Sequence, residues 1–139
     1  MKSIDSTPAK LTSTKNENWR PFFNVAENSI YFISAKDNQK FGLYKIDLQS
    51  RLISPILQNS SLTHWDPAIS SDGVRLTYAV KDSSNFDIFL VDLRNQSKPL
   101  RKTFSSEDEW DPSFSADGRY LFYAGTSLTG SQIRAICIN

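Results

Sequence analysis

The tripeptide Trp-X-Pro occurs three times in this chain, as Trp19-Arg20-Pro21, Trp65-Asp66-Pro67 and Trp110-Asp111-Pro112. The tryptophans are 46 and 45 residues apart. A repeat of that length points to units that each bury too little surface to fold alone and must stack on their neighbours. The repeat therefore limits the fold to an array or a ring of similar pieces.

The repeat runs deeper than the tripeptide. Eleven residues after each Trp stands an aliphatic residue (Ile30, Leu76, Leu121), and thirteen after it an aromatic (Phe32, Tyr78, Tyr123). Leu43, Ile88 and Ile133 follow, and four residues beyond them Asp47, Asp92 and Cys137. Inside each unit the apolar residues alternate, as in Val74, Leu76, Tyr78 and Val80, which is the period of a half-buried strand. Asp72-Gly73 and Asp117-Gly118 separate two such runs and read as tight hairpin turns. Ala26-Glu27-Asn28 stands there in the first unit, with Asn28 available for the left-handed position. Proline biases the residue before it towards extended backbone, so Arg20, Asp66 and Asp111 are expected extended, with Pro21, Pro67 and Pro112 opening a strand. The reading is all-β, four antiparallel strands per unit. The first unit gives 21–25, 29–35, 42–48 and 51–57; the second 67–70, 74–80, 86–93 and 97–103; the third 112–115, 119–124 and 132–138. The units span residues 19–58, 65–104 and 110–139, in one domain over 1–139.

The third unit lacks a fourth strand, and the N-terminal segment 4–12 has no unit of its own. Pro8-Ala9-Lys10-Leu11 precedes Trp19 much as the segments carrying Pro55 and Pro99 precede Trp65 and Trp110. Residues 4–12 are thus expected to be an outer strand displaced to the front of the chain, closing an edge that would otherwise be exposed.

Two stretches, Asp66-Pro67-Ala68-Ile69-Ser70-Ser71-Asp72-Gly73 and Asp111-Pro112-Ser113-Phe114-Ser115-Ala116-Asp117-Gly118, together with Phe86-Asp87-Ile88-Phe89-Leu90-Val91-Asp92-Leu93, resemble the TolB-type β-propeller repeat. The first unit departs from it at Arg20 and at the Asp-Gly turn. The resemblance implies a propeller and leaves activity open, because such blades serve interaction proteins, peptidase-associated propellers and some lyases. Propellers close with four to eight blades. Three blades per chain then predict a homodimer forming a six-bladed ring, each N-terminal strand completing the other chain's third blade.

Composition excludes more than it proposes. With 16 Lys and Arg against 15 Asp and Glu, the net charge is +1 and no basic block suggests nucleic acid. No apolar run is long enough for a membrane helix. The first 20 residues lack an apolar signal core, so a cytoplasmic setting is expected, or a periplasmic one if the chain is a mature form. The one cysteine, Cys137, forms no disulfide within the chain; it reads as a small packing residue in the slot of Asp47 and Asp92. His64, the sole histidine, reads as a neighbour of Trp65, since one His without further ligands builds no usual zinc site. No catalytic residue, metal site or cofactor is indicated. The tryptophans read as packing between blades, and Glu107-Asp108-Glu109 as solvated loop surface. The resemblance places Arg20, Asp66 and Asp111 near one mouth of the central channel, where two chains would present four Asp and two Arg. That mouth, with His64 beside it, is the expected ligand site. The expected function is a non-catalytic module holding a peptide, protein segment or small ligand there. The alternatives are a carbohydrate-active enzyme or lectin, and a piece of a larger propeller-containing peptidase or sensor.

Overall fold

A computed structural model describes residues 8–12, 17–35, 41–57, 63–81, 84–95 and 98–138. The chain is all-β, built of three antiparallel sheets that resemble propeller blades. The first sheet runs in chain order through β1 (Asn18–Asn24), β2 (Ser29–Ala35), β3 (Phe41–Asp47) and β4 (Ile53–Leu57). The second follows the same order with β5 (Thr63–Ile69), β6 (Arg75–Lys81), β7 (Phe86–Asp92) and β8 (Leu100–Arg101). The third holds β9 (Asp108–Phe114), β10 (Tyr120–Ser127) and β11 (Gly130–Cys137).

The Asp-Gly turns form as read. Gly73 N–H donates to the Ser70 carbonyl at 2.8 Å, with Gly73 at φ +73°. Asp72 accepts from the Ser70 hydroxyl at 2.5 Å and from Val74 N–H at 3.0 Å. Ser115, Asp117 and Gly118 repeat this network. In the first sheet Asn28 takes the positive φ, +48°. Asn24 stands where Ser70 and Ser115 stand, accepting from Ala26 N–H and donating to the Gly73 carbonyl at 3.2 Å. Ser71 likewise donates to the Ala116 carbonyl of the next sheet, so the turns link blade to blade.

Two apolar clusters fill the gaps between sheets. Tyr31, Ile33 and Leu43 of the first sheet meet Leu76, Tyr78, Val80 and Val91 of the second, with Trp19 and Leu57 packed against them. Ala79, Phe86, Ile88 and Leu90 of the second meet Leu121 and Tyr123 of the third, with Trp65 and Trp110 alongside. Trp19 stacks on Trp65 with ring centroids 6.4 Å apart, and Trp110 lies 3.9 Å from the Phe86 ring. Among the described residues, no strand of the first sheet packs on a strand of the third.

Several expectations need correction. The innermost strands begin before the tryptophan rather than at the proline. β8 covers two residues, not 97–103. Beyond it the Thr103 hydroxyl oxygen takes the Ile88 N–H at 2.8 Å, a side chain replacing the backbone ladder. Cys137 is exposed on β11 rather than packed, because no strand among the described residues lies outside that edge. Glu107-Asp108-Glu109 is not solvated loop: Glu109 is buried in β9, Asp108 accepts the Phe86 N–H at 3.0 Å, and Glu107 pairs with Arg134. Residues 4–7 of the expected N-terminal strand lie outside the described residues; residues 8–12 pair with no strand among the described residues.

Candidate channel-mouth site

Each Trp-X-Pro sits at a bulge. On β1 the pairing steps from Trp19–Ile33 to Phe22–Tyr31, leaving Arg20 and Pro21 opposite Phe32 alone. On β5 it steps from Trp65–Ala79 to Ala68–Thr77, leaving Asp66 and Pro67 opposite Tyr78. On β9 it steps from Trp110–Ala124 to Ser113–Phe122, leaving Asp111 and Pro112 opposite Tyr123. Two residues against one is the definition of a bulge, and proline is favoured there because it has no N–H to leave unpaired.

The middle residues are not extended. Arg20, Asp66 and Asp111 have φ of +53°, +50° and +48°, in the left-handed region that costs a non-glycine residue about 1–2 kcal/mol. The proline rule disfavours the right-handed helical region and is silent about a bulge, whose geometry is set by the partner strand. Three such residues in equivalent places make a constructed feature, of the kind that gathers at functional sites.

The bulges bring together side chains 46 and 45 residues apart in the chain. Arg20 Nη2 lies 2.9 Å from Asp66 Oδ1, and Arg20 Nη1 lies 3.8 Å from Asp111 Oδ1. Asp111 N–H donates to Asp66 Oδ2 at 3.4 Å. Asp66 is the inner member, its side chain 8% exposed, against 55% for Arg20 and 65% for Asp111. Burial, and then the negative charge of Asp111, push the Asp66 carboxyl above the usual range; Arg20 offsets part of that rise. The cluster carries a formal charge of −1 and turns an exposed carboxylate to solvent. It has electrostatic means to hold a cationic group.

The backbone of His64 pairs with Val80 in β5, one residue before Trp65; its side chain lies outside the described residues. Two features escape the sequence. Asn85 is buried and donates to the carbonyls of Ser105 and Glu107, pinning the entry to β9. Glu109 accepts from the Ser105 hydroxyl and lies 3.8 Å from Arg134 Nη1. The signal for Glu109 was its slot: Asn18, His64 and Glu109 all stand just before a Trp, and all are polar.

No protein-family model matches the chain, and no curated protein matches it. Solved structures do. TolB from Acinetobacter baumannii superposes with a TM-score of 0.82 at 19% identity, over 96% of this chain and 33% of that one. The fold is TolB-like. A structure assigned as TolB from Agrobacterium tumefaciens gives a TM-score of 0.71 at 18% identity, over 83% of this chain and 40% of that one. A puromycin-hydrolysing peptidase from Mycobacterium tuberculosis gives 0.66 at 14%, over 90% of this chain and 21% of that one. The chain therefore spans well under half the length of these TolB-like structures.

Proposed function

We propose that this TolB-like unit is a non-catalytic binding module whose Arg20–Asp66–Asp111 mouth receives a peptide segment bearing a positive charge. The observation that carries the reading is the convergence of the three bulge residues. Each is held at a costly backbone angle, and together they leave the Asp111 carboxylate open beside a more buried Asp66. Arg20 offsets part of the rise that burial and Asp111 impose on Asp66, while leaving the cluster net negative. A lysine or arginine side chain, or a peptide amino terminus, would displace water from Asp111 and gain a charge-assisted hydrogen bond.

The test is titration of Lys/Arg-containing peptides against Glu-substituted peptides of the same length, followed by calorimetry. The basic peptides bind more tightly, and Asp111→Asn weakens them about tenfold, the size of one charge-assisted hydrogen bond. Binding also weakens as pH falls through the raised Asp66 value, because protonation takes the cluster from a formal −1 to neutral while Arg20 still faces Asp111. Equal binding of acidic peptides, or no effect of Asp111→Asn, overturns the reading.

A further inference from the structure

One repeat position marks the two ends of the array. Leu43 in the first sheet is 1% exposed and Ile88 in the second is 0% exposed. Each is covered by the blade that follows it. Ile133 holds the same position in the third sheet and is 79% exposed. Tyr120 and Phe122 of the same sheet are also large and exposed. What covers Leu43 and Ile88 is the repeated aliphatic-X-aromatic pair of the next blade: Leu76 and Tyr78, then Leu121 and Tyr123. The corresponding pair of the first blade, half-buried Ile30 and buried Phe32, meets no strand of another blade on that side among the described residues. The third blade's exposed face and the first blade's outer face are therefore the two halves of a joint that the chain makes twice internally.

The N-terminal segment supplies an independent observation. Leu11 lines a small apolar cavity of about 140 Å³ together with Trp19, Pro21, Ile30, Phe32 and Ile46. The equivalents of Ile30, Phe32 and Ile46 one repeat later are Leu76, Tyr78 and Val91, which belong to the cluster that Ile56 and Leu57 of β4 pack against. Leu57 precedes Trp65 by eight residues, and Leu11 precedes Trp19 by eight. Leu11 thus lies against the first blade where the outer strand of a preceding blade belongs, yet it pairs with no strand among the described residues. β11, meanwhile, pairs only with β10 and leaves its other edge without a strand among the described residues.

We infer that a second copy of this chain covers the exposed third-blade face, its first blade seating on this chain's third blade and the reverse. The segment around Leu11 of the partner subunit then adds to the free edge of β11. The register follows from the first sheet, where Leu43 pairs with Leu57. Ile133 holds the place of Leu43 and Leu11 that of Leu57, so Ile133 faces Leu11 of the partner subunit. The result is a six-bladed ring with two equivalent seams, within the range in which propellers close. The assembly goes beyond the binding reading and does not depend on it.

Light scattering on the full chain gives a mass near twice 15.8 kDa at micromolar concentration. Ile133→Asp returns it to the monomer mass with an unchanged far-ultraviolet circular dichroism spectrum, because Ile133 touches little within its own chain. In a Cys137→Ser background, Leu11→Cys with Ile133→Cys forms an intermolecular disulfide on mild oxidation, whereas Leu11→Cys with Leu128→Cys does not. A monomer mass for the natural chain, an unchanged mass for Ile133→Asp, or equal cross-linking at both positions overturns the inference.

Discussion

The three middle residues of Trp-X-Pro show how far a residue can depart from its local rule when a partner strand dictates the geometry. Proline before a strand predicts extended backbone at Arg20, Asp66 and Asp111, and all three have positive φ. The bulge that requires it is defined by β2, β6 and β10, not by the tripeptide itself, so no local reading could have supplied it. The glycines at the turns obey theirs, and differ in a way that can be measured. A Cβ on Gly73 would sit 2.5 Å from Asn24 Oδ1 and 2.7 Å from the Ala26 Cβ. The Asn24 side chain is buried and holds two hydrogen bonds, so it cannot yield freely. On Gly118 the Cβ would meet only the guanidinium end of Arg75, which can swing aside. Thermal unfolding should show Gly73→Ala losing about 2–3 kcal/mol and Gly118→Ala about 1 kcal/mol, the part owed to positive φ alone. The acidic run Glu107-Asp108-Glu109 departs from its local reading for the opposite reason: besides Ser105, its partners Arg134 and the Phe86 N–H lie more than 20 residues away in either direction.

At the scale of strands, the apolar spacing located every sheet member, because alternation records which face is buried. Ends were less legible. β9 starts at Asp108, four residues before the proline expected to open it, since a bulge continues a strand that a proline at first sight begins. β8 is cut to two residues because Thr103 takes over a ladder bond with its side chain and Arg101 turns to an ion pair with buried Asp87, 2.6 Å away. The joints between sheets carry the stability of the chain. Leu121 of β10 is fully buried between the second and third sheets, while Leu128, at the tip of the hairpin that β10 opens, is fully exposed. Leu121→Ala should cost about 2–5 kcal/mol in denaturant unfolding, and Leu128→Ala less than about 0.5 kcal/mol. Similar losses at both would mean that the second and third sheets do not pack as described.

Over the whole molecule, the turn aspartates set the response to acid. Asp72 and Asp117 are held below the ordinary carboxylate range chiefly by the hydroxyls of Ser70 and Ser115. Asp47 is lowered chiefly by the Ser50 N–H, and Asp92 by the Arg94 side chain. For each, the folded value lies below the unfolded one, so the stabilisation is complete above the ordinary range and is lost as pH falls through it. Asp66, raised in the folded state, works in the other direction: its ionisation costs stability as pH rises from the ordinary range through the raised value. Four groups against one predict a melting temperature that falls below about pH 4, with a shallower fall in the Asp72→Asn/Asp117→Asn double variant. An acid slope unchanged in that variant would move the cause elsewhere. The fold was legible from the repeat, and so was the meeting place of Arg20, Asp66 and Asp111; the charge order within it was not, because it depends on which carboxylate the bulge turns inward. That bulge has one more consequence. Since the strand beside it fixes the socket and the side chain merely fills it, the three positions form an alphabet of interchangeable letters. The cluster could be re-spelled, residue by residue, on a blade that stays the same.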